Sequence, residues 1–217
     1  MKGLLIKDMK LMKNMKNSLL MIFVIALGMS YYMEDLSFII VYLAMLGATF
    51  TSSTLSYDEF DKGYAFLFAL PVTKKDYVIE KYGFGLIMSG GGWLLGTVLV
   101  AVAGLLRNTG SAADNLMMGL ILLPVPLLLL SILLPFHLKY GGEKGKIVMI
   151  SVAGALFVVG ILGAKLAKEM DLDIDAMWEN LPVMGTGAMI VCGIGIGLMI
   201  LVLSCRISIS IIKKWEF

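Results

Sequence analysis

"NLMMGLILLPVPLLLLSILLPF" occupies Asn115–Phe136 and contains no Asp, Glu, Lys or Arg. It is apolar on all sides, so it does not read as the one-sided stripe of a surface helix. Its length falls within the roughly 17–25 residues that carry a helix across a hydrocarbon core. Five other stretches share this freedom from charge: Asn17–Met33, Leu36–Tyr57, Tyr82–Leu106, Ile147–Ala164 and Asn180–Cys205. The chain is 59% hydrophobic and 16% charged, against about 45–50% and about 25% in soluble domains. Its mean hydropathy is +0.90. A helix satisfies its own backbone groups inside lipid, which makes it the spanning form. The pattern predicts an all-α integral membrane protein with six transmembrane helices, over about 17–33, 36–57, 82–106, 115–137, 147–165 and 181–205. The whole chain, 1–217, reads as a single transmembrane domain. Too little lies outside the lipid for an ATPase or receptor domain, so an energy source must be another chain or an ion gradient.

Lys and Arg placement sets the orientation. With the N-terminus inside, fifteen of them fall on inner segments, and only Arg107, Lys165 and Lys168 fall outside. Both termini are therefore expected in the cytoplasm. Acidic residues divide evenly, eight and eight, so the net charge of +2 conceals the asymmetry. A nucleic-acid partner is not expected.

The opening "MKGLLIKDMKLMKNMKN" projects as an amphipathic helix over 1–16. Leu4, Leu5, Leu11, Met12 and Met15 share one side, and Lys7, Lys10, Lys13 and Lys16 spread over the other. Asp8 sits against this grain, on the apolar side. Such a helix lies in the membrane interface. The following run is read as an uncleaved first span, not a signal peptide.

Pro124, Pro126 and Pro135 predict a bent fourth span, since each removes a donor from the helical ladder. Gly92/Gly96 and Gly193/Gly197 are GxxxG pairs, which allow close helix approach within one subunit or across a dimer seam. Cys192 and Cys205 are both in the sixth span. Thirteen residues of helix separate them by about 20 Å, so they read as unpaired apolar fillers.

Several motifs fail on inspection. In "GGEKGKI", Tyr140 stands where a P-loop needs its first Gly, and Ile147 where it needs Ser or Thr. "DLDIDAMWENLP" has EF-hand spacing at Asp171, Asp173 and Asp175, but Ala176 replaces the required Gly and Pro182 the Glu. No metal site is expected. No Asp or Glu lies in the predicted spans, and Ser89, Ser131 and Ser151 lack an in-span activating base. The chain is therefore not expected to be an enzyme, and coupling to an ion through intramembrane acids is not expected either.

Ser56–Tyr82, "SYDEFDKGYAFLFALPVTKKDYVIEKY", is the longest polar excursion between two spans. A short helix over Asp58–Leu70 ends at Pro71. Thr73 then caps a second helix that runs into the third span. Its charges are balanced, whereas a lipid-binding segment would be biased to Lys and Arg. Mixed charge around Tyr64, Phe66 and Phe68 suits a protein partner that seats a helix in a groove.

"LLIKDMKLMKN", "LFALPVTKKDYVIEKY" and "LPFHLKYGGEKGK" resemble, in order and spacing, the signature stretches of small bacterial type-2 ABC transporter permeases. Among these the chain is similar to permease subunits of phenol-soluble modulin exporters. The resemblance implies a bacterial plasma-membrane permease that pairs with a second copy or close paralogue and with a separate P-loop ATPase. ATP and Mg would bind that partner, and this chain would carry no cofactor. Residues 58–81 would be the coupling loop, with Asp58, Glu59, Lys62, Tyr64 and Phe66 as ATPase contacts. Gly141, Glu143 and Lys144 would form a second cytoplasmic contact. The substrate would be an amphipathic or antimicrobial peptide. The rival expectation is a stand-alone multi-pass immunity or sensor protein without a motor.

Overall fold

The computed structural model describes residues 2–33, 35–60, 63–69, 71–107, 112–142, 144–145, 147–148, 151, 154 and 185–215. Among the described residues the regular structure is helical, with no strand. The chain runs through α1 (Lys2–Asn14), α2 (Lys16–Tyr32), α3 (Ser37–Glu59), α4 (Gly63–Ala69), α5 (Lys74–Arg107), α6 (Ala112–Ile121), α7 (Pro124–Tyr140) and α8 (Thr186–Lys213). Four helical stretches are long and apolar enough to cross a membrane: Ser37–Glu59, Lys74–Arg107, Ala113–Tyr140 and Thr186–Lys213. A fifth is added if α1 and α2, bent by 65°, count as one. The span expected over 147–165 and the acidic "DLDIDAMWENLP" loop fall outside the described residues.

The 65° bend turns the chain from a charged segment into an apolar one, as the amphipathic pattern of α1 predicts. Leu4, Asp8 and Met12 are its buried positions; their four-residue spacing places them on one stripe. α2 and α3 form a tight hairpin. Ser37 N–H donates to Asp35 Oδ1 at 2.9 Å, holding the start of α3. Arg107, at the far end of α5, donates to the Met33 carbonyl at 2.7 Å and to that of Tyr31, tying the end of α5 to the end of α2.

α5 is continuous over 34 residues, about 51 Å at 1.5 Å per residue. That exceeds the hydrocarbon core of about 30 Å, so its charged start projects past the apolar zone. Thr73 caps it as expected, its Oγ1 accepting from Asp76 N–H at 3.1 Å. The proline-rich span breaks at Leu122–Leu123, between α6 and α7. Pro124 and Pro126 supply no N–H there. Tighter bonds cover the gap, Leu123 N–H to Leu120 O at 3.2 Å and Val125 N–H to Leu122 O at 3.1 Å.

The glycine pairs act within the subunit. A Cβ on Gly92 would strike the Leu43 carbonyl, one on Gly96 would stand 2.8 Å from Ile40 Cα, and one on Gly47 would stand 2.7 Å from Ser89 Cα. α3 and α5 thus meet backbone to backbone. Gly193 and Gly197 face Pro124 and Leu127 of α7, with a Cβ 3.0 and 3.1 Å away. Cys192 and Cys205 are both free.

Candidate functional site

Helix boundaries differ from expectation around Asp58. α3 runs on through Glu59, and the break falls at Phe60, whose backbone is extended. Asp58 therefore ends a long helix and does not begin the short one. The reason is electrostatic. Asp58 is buried and bonded to three groups: Lys81 Nζ at 2.9 Å, Tyr77 OH at 3.0 Å, and Lys7 Nζ.

Lys81 is the centre of this arrangement and is fully buried. Its ammonium pairs with Asp8 and Asp58, donates to Thr54 Oγ1 at 3.2 Å, and lies 5.4 Å from the centre of the Tyr77 ring. Lys7 stands 3.3 Å from Asp8 Oδ1 and bonds Asp58. One cluster thus joins α1, α3 and α5. It explains Asp8, which looks misplaced on the apolar stripe of α1 but is aimed at a buried cation. A buried pair is strongly destabilising to break, because the remaining charge loses its partner.

Next to the cluster, α4 docks through aromatic side chains. Tyr64 packs edge-on against Tyr77 and Trp215, with ring centres 6.0 and 4.9 Å apart, and stacks on Phe68 at 6.5 Å. Burial pushes the Tyr64 phenol well above its ordinary pKa, and it stays neutral. Lys74 also donates to the Trp215 carbonyl. The aromatic face of the short helix is thus turned onto this chain's own α5 and C-terminal segment.

Glu59 points the other way. Its Oε2 accepts from Gly142 N–H at 2.6 Å. Gly141 caps α7 in the left-handed region, φ +80°, where glycine is favoured. A Cβ on Gly141 would strike the Glu59 carboxylate, and one on Gly142 would stand 2.6 Å from Ser56 Oγ. Beside this clasp lies a groove of about 600 Å³ lined by Ser56, Glu59, Phe60, Tyr140 and Lys144. Phe60 is 75% exposed, and Lys144 is exposed too.

The structure therefore brings the two predicted contact segments together. Asp58, Tyr64 and Glu59 are held by internal contacts, while Gly141 and Lys144 border the groove. Lys62, Glu143 and the side chain of Phe66 lie outside the described residues.

Sequence reasoning missed two polar links. Ser52 Oγ meets His137 Nδ1 at 2.6 Å, joining α3 to α7. Tyr82 OH meets Ser204 Oγ at 2.6 Å and Ser208 Oγ at 2.9 Å, and Ser204 donates to the Ser131 carbonyl at 2.6 Å. Ser204 has one proton, already given to Ser131, so Tyr82 donates to Ser204 and Ser208 donates to Tyr82. The chain of bonds joins α5, α8 and α7. Helical spacing gave one signal for it: Ser204 and Ser208 are four residues apart and share a face.

These features define a multi-pass helical membrane protein whose charged end is braced by ion pairs, aromatic packing and a glycine clasp. The chain belongs to the ABC-2 family of transporter proteins, whose family model matches residues 3–213. It is thereby a membrane subunit and not itself catalytic. No curated protein and no solved structure matches it.

Proposed function

We propose that this chain is the transmembrane permease subunit of an ATP-driven exporter in the bacterial plasma membrane, with six spans and both termini in the cytoplasm. A separate P-loop ATPase carries ATP and Mg and seats on the segment 58–81 and on Gly141–Lys144. A second copy, or a close paralogue, completes the pair. The observation that carries this reading is the Glu59–Gly142 clasp within a chain matched by the family almost end to end. It makes one surface of the two segments expected to meet the ATPase.

Closure of the ATPase pushes on α4 and the groove beside it. Glu59 passes the displacement to α7, Asp58 passes it to α5 and α1, and Tyr64 keeps α4 seated while this happens. The cargo is an amphipathic peptide of the kind that phenol-soluble modulin exporters carry. An apolar groove of about 320 Å³ between α2, α3 and α5, lined by Leu19, Phe23, Leu46, Phe50 and Met88, suits the apolar side of such a peptide.

Co-purification tests the reading. The tagged chain, gently solubilised from cells expressing its genomic neighbours, brings down an ATPase in stoichiometric amount. Glu59→Lys combined with Tyr64→Ala loses that ATPase while keeping the helical content of the spans. A stable, solitary protein, or full ATPase retention by the double variant, sinks the assignment.

A further inference from the structure

The charges beneath α1 do not balance. Among the described residues two ammonium groups, Lys7 and Lys81, face three carboxylates, Asp8, Asp58 and Glu80. If all are ionised, one negative charge is unmatched. Glu80 is the group left over. It is 5% exposed, and both its carboxylate oxygens are buried with no hydrogen-bond partner among the described residues. The charged groups acting on it are Lys81 from its own helix, Asp8 and Lys7 from α1, and Asp58 from α3. Neither lysine serves it. Lys81 is committed to Asp8, Asp58 and Thr54, and Lys7 to Asp58 and Asp8. An ionised carboxylate buried without a donor is among the costliest groups a fold can hold, whereas the neutral acid is far cheaper.

We propose that this cluster is a proton-binding site: Glu80 is held as the neutral carboxylic acid while α1 is docked on α5, and its ionisation releases α1. The proton removes the unmatched charge and gives Glu80 a donor. Asp8 Oδ1, buried with no hydrogen bond among the described residues and faced by the Lys7 ammonium at 3.3 Å, is an acceptor of the kind that donor needs. A metal ion does not take this place, because no group of His, Cys, Asp or Glu among the described residues is set to hold one. The step is the transfer of one proton from the Glu80 carboxyl to solvent as α1 lifts; no other bond changes. The acid form fits the docked state, so docking is favoured at low pH and weakens as pH rises through the ionisation of Glu80. Release of one proton changes the docked-to-undocked ratio by up to about tenfold per pH unit.

The test uses the full chain in lipid nanodiscs and needs no ATPase, so it stands apart from the permease reading. At neutral pH the infrared spectrum of the wild type shows a protonated-carboxyl C=O band that Glu80→Gln removes and Asp8→Asn shifts. A protonated-carboxyl region that is the same in wild type and Glu80→Gln means that Glu80 is ionised, and overturns the site. Spin labels on Met9→Cys and Tyr57→Cys, without the two native cysteines, then follow α1. Their separation grows with pH in the wild type and stays constant in Glu80→Gln. A separation that ignores pH in the wild type overturns the release of α1.

Discussion

Midway along α3 and α5 the two backbones touch through Gly47, Gly92 and Gly96; at their charged ends the same helices are held by Lys81 between Asp58 and Asp8. The first contact depends on missing atoms. It brings dispersion into play over a short distance and involves only those two helices. The second depends on full charges and draws in a third element, α1. Close apolar packing suits the lipid midplane, where a lone charge is expensive. Ion pairing suits the end of the bundle, where three helices meet at charged residues. The difference separates what keeps the spans together from what connects them to the segments beyond the lipid.

The sharpest way to break this contrast is Lys81→Met. It leaves Asp8 and Asp58 buried with only the partly exposed Lys7 to answer two charges and costs up to about 3–5 kcal/mol, read as a lowered unfolding midpoint of the chain in nanodiscs. Adding Asp8→Asn and Asp58→Asn restores most of the loss, because the penalty lies in the stranded charges. An unchanged midpoint in Lys81→Met alone would show that the cluster does not hold the helices.

Gly92→Ala probes the other contact. The new methyl meets the Leu43 carbonyl, whose backbone cannot step aside, and the strain costs about 1–3 kcal/mol. Gly195→Ala is the smallest effect and has the opposite sign. Nothing lies within 4 Å of a Cβ there, so the change gains about 0.5–1 kcal/mol from reduced backbone entropy in the unfolded chain. Equal responses at Gly92 and Gly195 would remove the distinction between a seam glycine and an open one.

Much of the architecture was legible because lipid imposes a simple rule on sequence. Charge-free runs marked α3, the body of α5, the α6–α7 pair and α8, and Thr73 marked the start of α5. The site was legible only in part. The segment at 58–81 stood out by composition and that at 141–144 by its family resemblance, but their contact through Glu59 and Gly142 did not. It joins residues far apart in the chain, and a backbone N–H leaves no mark in the sequence. Nor did any local pattern show that Tyr64 faces inward to Trp215.

Asp8 shows where the division falls. By itself the sequence determined that this residue sits on the apolar side of an amphipathic helix and that an apolar helix follows, because helical periodicity and hydropathy are local properties. Only the tertiary structure decided that Lys81 and Lys7 meet it, that Asp58 shares them, and that Glu80 is left without a donor. Pairing of charges depends on distances between helices, and those are set by how the helices pack.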